Sequence, residues 1–151
     1  MTDAAPTRPA IRLSHFSSGA AAFQSARDIR RKVFIEEQHV PVEEEWDALD
    51  DIATHVLVTV DAIPAGTARF YPEDGWLKIG RVAVLLPYRG LGLGHALLRY
   101  SLEHGDTGEY DRVFLNAQTD KMRFYEKHGF HRIGEEFDEA GIQHIRMERK
   151  L

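Results

Sequence analysis

Gly90, Gly92 and Gly94 alternate with Leu91 and Leu93 directly behind Arg89, between an extended apolar segment at 80–86 and a helix-patterned segment at 95–104. Three glycines at alternate positions remove side chains at the point where a helix begins. Backbone N–H groups there have no intrahelical partner, and the helix dipole adds partial positive charge. A strand, a glycine loop and a helix start in that order build a cradle for a diphosphate.

Two well-known cradles are excluded. The dinucleotide fingerprint G-x-G-x-x-G fails in each register: from Gly90 the sixth position is His95, and from Gly92 it is Leu97. The nucleoside-triphosphate loop fails because no Gly-Lys-Ser/Thr follows. What remains is Arg-x-x-Gly-x-Gly.

The rest of the chain alternates strand and helix patterns. Strand character is predicted at 11–16, 55–60, 65–71, 76–85, 112–117, 130–137 and 142–149. A helix follows Ser17 and Ser18 as caps, carries Ala22, Phe23, Ala26, Ile29, Val33 and Phe34 at helical spacing, and is ended by Pro41. Residues 43–51 read as an acidic connection. A second helix follows the glycine loop, and a short third spans 121–128 with Gly129 behind it. The expected fold is therefore α/β in the α+β sense: a single domain with a central, mostly antiparallel mixed sheet of about seven strands flanked by helices. Passages across helices imply local parallel pairing.

At 151 residues the chain fits one domain. It has no cysteine, which removes disulfides, thiolate metal ligation and a cysteine nucleophile, and suits a reducing, cytoplasmic setting. A net charge of −5 argues against a broad nucleic-acid surface, and no apolar run suggests a membrane span. None of the eight histidines falls in H-E-x-x-H spacing, so no metal is expected. Residues 1–9 read as a disordered lead-in.

Four segments, in order, resemble the GNAT N-acetyltransferase superfamily. They are Arg89-x-x-Gly92-x-Gly94; Val82-Ala83-Val84 before it; Phe124-Tyr125-Glu126-Lys127-His128-Gly129-Phe130; and Arg31 to Gln38 with Pro41, Asp47, Asp50 and His55. The last is similar to the ElaA/YjcF-like branch. The resemblance implies that residues 10–151 form an N-acetyltransferase domain using acetyl-CoA, that is, coenzyme A as cosubstrate. Backbone amides of Leu91, Gly92, Leu93, Gly94 and His95, in the loop opened by Arg89 and Gly90, would take the pyrophosphate. Val82, Ala83 and Val84 would face the pantetheine arm across a gap from 112–117, with the Val84 N–H at the thioester carbonyl. Asn116 would bond the arm, and Tyr125 would be the general acid for the departing thiolate.

A base is also needed. A lysine-like amine, with a pKa of about 10.4, is only about 0.04% neutral at pH 7, a cost of roughly 4.6 kcal/mol. Glu37 is the first candidate, at the end of the helix bordering the acceptor pocket; Asp50 and His55 rank behind it. The acidic stretch points to a cationic amine acceptor, a small molecule or a peptide, and a homodimer fits the resemblance. The alternative reading is a non-catalytic acyl-CoA sensor with the same fold.

Overall fold

A computed structural model describes residues 8–151. Most of the expected lead-in, residues 1–7, lies outside the described residues; Arg8 and Pro9 are exposed and belong to no strand or helix. The chain runs β1 (Ile11–Phe16), α1 (Phe23–Arg30), α2 (Val42–Glu45), β2 (Thr54–Val60), β3 (Ile63–Glu73), β4 (Trp76–Val84), α3 (Leu93–Gly105), β5 (Arg112–Gln118), α4 (Met122–Glu126), β6 (His131–Glu139) and β7 (Ile142–Lys150). All seven expected strands are present in one sheet, ordered β1-β2-β3-β4-β5-β7-β6.

Strand alternation divides the apolar residues between the two faces. On one face Val56, Val58, Ala68, Leu77, Ile79, Val113 and Leu115 pack beneath Leu93, Leu97 and Leu98 of α3. On the other, Leu57 and Ala83 meet Ile29, Val33 and Phe34 from α1 and its continuation. No helix among the described residues is long and apolar enough to cross a membrane.

Three local expectations change. β1 and β2 pair antiparallel although α1 lies between them; parallel pairing occurs between β4 and β5. Ser17 and Ser18 do not cap α1: Ala22 stands at the N-cap, and the Ser18 hydroxyl reaches Asp51 at 3.3 Å. Beyond Arg30 the helix widens into a π-helical stretch, Arg31–Glu37, closed by the Gln38 N–H on the Val33 carbonyl at 3.1 Å.

The largest departure is the acidic connection, which folds into α2 and a short 3-10 turn, Ala48–Asp51. Its carboxylates turn inward onto arginines of three other elements. Arg30 of α1, 1% exposed, donates through Nε to Glu45 Oε2 at 2.8 Å and through Nη1 to Asp50 Oδ1 at 2.7 Å. Arg69 of β3 grips Asp47 with both Nη atoms, at 2.7 and 2.9 Å, and Asp50 at 2.8 Å. Arg81 of β4 reaches Glu45 Oε2 at 3.0 Å and Asp47 Oδ2 at 3.3 Å. The buried ring His55 holds the Asp50 carbonyl through Nε2 at 2.9 Å. Trp46 lies under the Arg27 guanidinium, 4.4 Å from its ring centre. Three arginines therefore face three carboxylates, which is how so much charge is accommodated beneath the surface.

Each carboxylate is shared by two arginines, so removing Arg69 strips Asp47 and Asp50 of one partner each and leaves buried negative charge uncompensated. Arg69→Met is expected to lower the unfolding free energy by about 3–5 kcal/mol, read from the denaturant midpoint. A loss below about 1 kcal/mol, the scale of a surface pair, would show that the cluster does not hold the segment.

Candidate functional site

The glycine loop adopts the conformation its composition predicts. Gly90 (φ 85°) and Gly92 (φ 78°) both lie in the left-handed region, where a side chain is strained. Gly92 is the N-cap of α3, and the first helical bond runs from the Ala96 N–H to the Gly92 carbonyl at 3.1 Å. The amides of Gly92, Leu93, Gly94 and His95 thus precede the helical ladder. A Cβ at Gly94 would sit 3.3 Å from the Phe124 ring, so this glycine also lets α4 close on α3. Arg89 is tethered on both sides: Nε donates to the Val84 carbonyl at 2.9 Å and Nη2 to Glu37 Oε1 at 2.8 Å.

β4 and β5 pair only at Leu77↔Val113 and Lys78↔Phe114. Beyond that point the strands splay. On β3, Thr67 faces Ala83 and Arg69 faces Gly80, so β4 carries one extra residue between them. This bulge centres on Arg81, a non-glycine at φ 52°. Its side chain is anchored to the carboxylate cluster, which offsets the strain. The Leu85 N–H bonds the Ala65 carbonyl at 2.8 Å. By alternation the peptide groups of Val82 and Val84 then face the opening toward β5. The expected gap between 82–84 and 112–117 therefore exists, and it opens beside the start of α3.

A cavity of about 440 Å³ fills the splay. Phe34 of the π-helical stretch, Gln38 at its C-cap, Val82 of β4, Asn116 of β5, Tyr125 of α4 and His144 of β7 contribute to its wall. The π-helical stretch matters here, because a wider turn places Phe34 and Gln38 on this wall together; Gln38 Oε1 accepts a hydrogen bond from Gln118 at 2.8 Å. Tyr125 packs edge-on against Phe124 and Phe130, and burial pushes its phenol above the ordinary value, so it remains protonated.

Among the predicted site residues, Val82, Asn116 and Tyr125 meet at the cavity, and residues 89–95 meet at the helix start. Ala83 is buried in the core against α1. Glu37 is exposed, ion-paired to Arg89, and not on the cavity wall. Asp50 and His55 belong to the buried cluster instead. Burial alone would raise the Asp50 carboxyl, but the hydrogen bonds and charge of Arg30 and Arg69 outweigh it and hold it below the usual range; Asp47 is held down likewise by Arg69. The Asp47 and Asp50 hydrogen bonds in turn keep the Arg69 guanidinium charged against its burial. Burial lowers His55, and its Nδ1 has no partner, so the ring is neutral. Among the described residues no group of three or more His, Asp or Glu is placed to hold a metal ion.

Sequence reasoning missed two features. The bulge at Arg81 carries no local signal, since arginine is a poor left-handed residue. His144 faces the cavity because β7 pairs with β5 in a register that sets Gln118 opposite it; the parity of β7 was legible, but its partner strand was not.

Comparison with known proteins places the site in context. A family model described as "Acetyltransferase (GNAT) domain" matches residues 15–151. The chain is 38% identical to the uncharacterised N-acetyltransferase YjcF of Bacillus subtilis over 120 residues, 79% of this chain and 86% of that protein. It is 31% identical to the protein ElaA of Escherichia coli over 144 residues, 92% and 94% of the two chains. Among solved structures, an acyl-CoA N-acyltransferase from Pseudomonas aeruginosa superimposes with a TM-score of 0.83 at 28% identity, covering 93% of this chain and 99% of that one. ElaA of Escherichia coli gives 0.81 at 28%, with the same coverage. A GNAT family acetyltransferase from Elizabethkingia anophelis with acetyl-CoA bound shares the fold, with a TM-score of 0.67 at 16% identity over 93% of this chain and 98% of that one.

The buried groups around the site predict the pH dependence of stability. His55 and His128 are both shifted below 6.5, in each case by burial first, so acid protonates the unfolded chain before the folded one. Stability is therefore expected to hold above pH 6.5 and to fall as pH drops through the folded-state values. A second decline is expected below 3.8, where Asp47 and Asp50 lose their paired carboxylates. Denaturant midpoints measured across this range should show both steps, with the first reduced in His55→Gln; a flat profile from neutrality to below pH 5 would contradict the assignment.

Proposed function

The chain belongs to the GNAT acetyltransferases, and from that membership we propose that it transfers an acetyl group from acetyl-CoA to a primary amine by direct attack. One observation carries the reading: the opening between β4 and β5 lies beside an α-helix whose N-cap is Gly92 and whose second residue is Gly94. Coenzyme A combines a diphosphate with a flexible arm of amides, and those two places offer free backbone amides to each.

In this reading the amides of residues 91–95 hold the diphosphate. Arg89, fixed by Glu37 and the Val84 carbonyl, sets the shape of the loop and adds positive charge at its rim. Val82 and Val84 pair with the arm as a neighbouring strand would, while Ala83, turned into the core, holds that edge straight. Asn116 lies across the opening and bonds the arm from the β5 side. Bound there, acetyl-CoA supplies the acetyl group already activated as a thioester. The Val84 N–H points at the developing oxyanion. Tyr125, kept protonated by its surroundings, donates to the leaving sulfur. With no cysteine in the chain, a cysteinyl acyl-enzyme has no nucleophile, which favours direct attack.

The acceptor's charge follows from what the arginines leave free. The Glu45 and Asp47 carboxylates are bound to arginines, whereas the carboxylates of Glu44 and Glu139, which also line the cavity, have no arginine partner among the described residues; Arg81 reaches only the Glu44 backbone carbonyl, at 3.3 Å. We assign them to receiving the acceptor's ammonium group; Glu37, outside the wall, is placed to hold the loop and not to take the amine's proton. A cysteine-free chain of this kind suits the cytoplasm.

Two substitutions test the reading. Gly92→Glu places a strained, anionic side chain in the cradle and should abolish coenzyme A binding by calorimetry; unchanged affinity would remove the cradle from the mechanism. Tyr125→Phe should lower turnover by about 10²-fold or more with little change in cofactor affinity. The wild-type protein, mixed with acetyl-CoA and a panel of amines, should release free thiol in an amine-dependent manner. Tight binding with no amine-stimulated release would identify an acyl-CoA sensor instead.

A further inference from the structure

His144 is 8% exposed, yet it forms part of the cavity wall with Tyr125 and Asn116. Its Nδ1 lies 2.7 Å from the Ile142 carbonyl oxygen. A carbonyl only accepts, so Nδ1 carries the hydrogen, and in the neutral ring the lone pair is at Nε2. Nε2 is 3.5 Å from Oε2 of Glu139, across the β6–β7 hairpin. Phe137, opposite His144 in the hairpin, stacks on the ring at 24° with centres 6.0 Å apart. The tautomer, the orientation and a neighbouring anion are thus all set for a ring that gains a proton at its outer nitrogen.

Other groups around the cavity are committed elsewhere. Glu45 and Asp47 are bound to arginines, and Glu37 is outside, paired to Arg89. The remaining charged groups on the wall are Glu44 of α2, Arg69 of β3, Lys78 and Arg81 of β4, and Lys121 before α4; Gln118 of β5, opposite His144, is neutral. Lys78 and Lys121 are cations and cannot accept a proton in that state. We propose that Nε2 of His144 is the base that takes the proton from the acceptor amine, with Glu139 as the positioning residue that stabilises the resulting imidazolium. The proposal rests on the acetyl-transfer reading above.

The proton balance is closed by groups already named. The ammonium nitrogen gives one proton to Nε2. Its freed lone pair forms the C–N bond to the acetyl carbon as the C–S bond breaks. The departing sulfur takes the Tyr125 phenolic proton, and the second N–H proton restores the phenol. The proton on His144 leaves to solvent past Glu139, which is 48% exposed at its side chain.

Three measurements decide it. First, ¹⁵N NMR of the wild-type protein with coenzyme A should show His144 as the Nδ1–H tautomer, protonating at Nε2 as pH falls; an Nε2–H tautomer overturns the proposal whether or not transfer is observed. Second, His144→Gln should keep its cofactor affinity while kcat/KM falls by about 10²-fold or more at neutral pH. Its rate should then climb tenfold per pH unit toward the amine's own pKa, where the wild type levels off. Third, Glu139→Gln, which retains the ring, should move the acid limb of the wild-type profile to lower pH with a smaller loss, and this variant carries the test if His144→Gln does not fold. A wild-type acid limb retained in His144→Gln, or one lost instead in Glu44→Gln, overturns the assignment. Absence of transfer to any amine, with the tautomer as described, would refute the acetyl-transfer reading and leave the ring's proton-accepting geometry standing.

Discussion

Three arginines, Arg30 and Arg69 buried and Arg81 half-buried, face three carboxylates and hold one wall of the site in place. α2 is one turn long, and Ala48–Asp51 form a single 3-10 turn, neither of which is stable alone in water. They keep their shape because Arg30, Arg69 and Arg81 reach them from α1, β3 and β4. The same contacts anchor the strained residue of the β4 bulge. A cluster of this kind contributes less to net stability than an apolar core of equal volume would. What it provides is position: two sheet strands and a helix are referenced to one set of carboxylates.

The cavity arises from a sheet that is deliberately incomplete. A ladder continued between β4 and β5 would satisfy every peptide group and leave no site. The bulge bends β4 away, α3 enters at the end of the opening, and the hairpin of β6 and β7 supplies the far wall. Backbone groups that the fold leaves without partners are what a carrier made of amides and phosphates can bind. The two side chains proposed for proton transfer, Tyr125 and His144, come from α4, which follows β5, and from β7, which pairs with it.

Much of this was legible in the residues. The glycine loop, the seven strands and the helix at Tyr125 follow from local rules: alternation, helical spacing, and glycine where φ must be positive. The gap between Val82–Val84 and β5 followed from the family resemblance and not from spacing. What local rules cannot reach is pairing at a distance. Residues 43–51 read only as an acidic connection because each carboxylate's arginine lies 15 or more positions away. Glu37 read as a base because its helix borders the pocket, but the widened turn of Arg31–Glu37 directs it to Arg89. The surroundings of His144 likewise depend on which strand lies beside β7.

The seam between β4 and β5 has a mechanical consequence. Paired at Leu77 and Lys78 alone, it joins a four-stranded sheet to a three-stranded one as a hinge with its pin at one end. A guest lying in the mouth replaces the missing rungs and stitches the two leaves together. A filled mouth would thus complete across the sheet a ladder that the chain by itself leaves open.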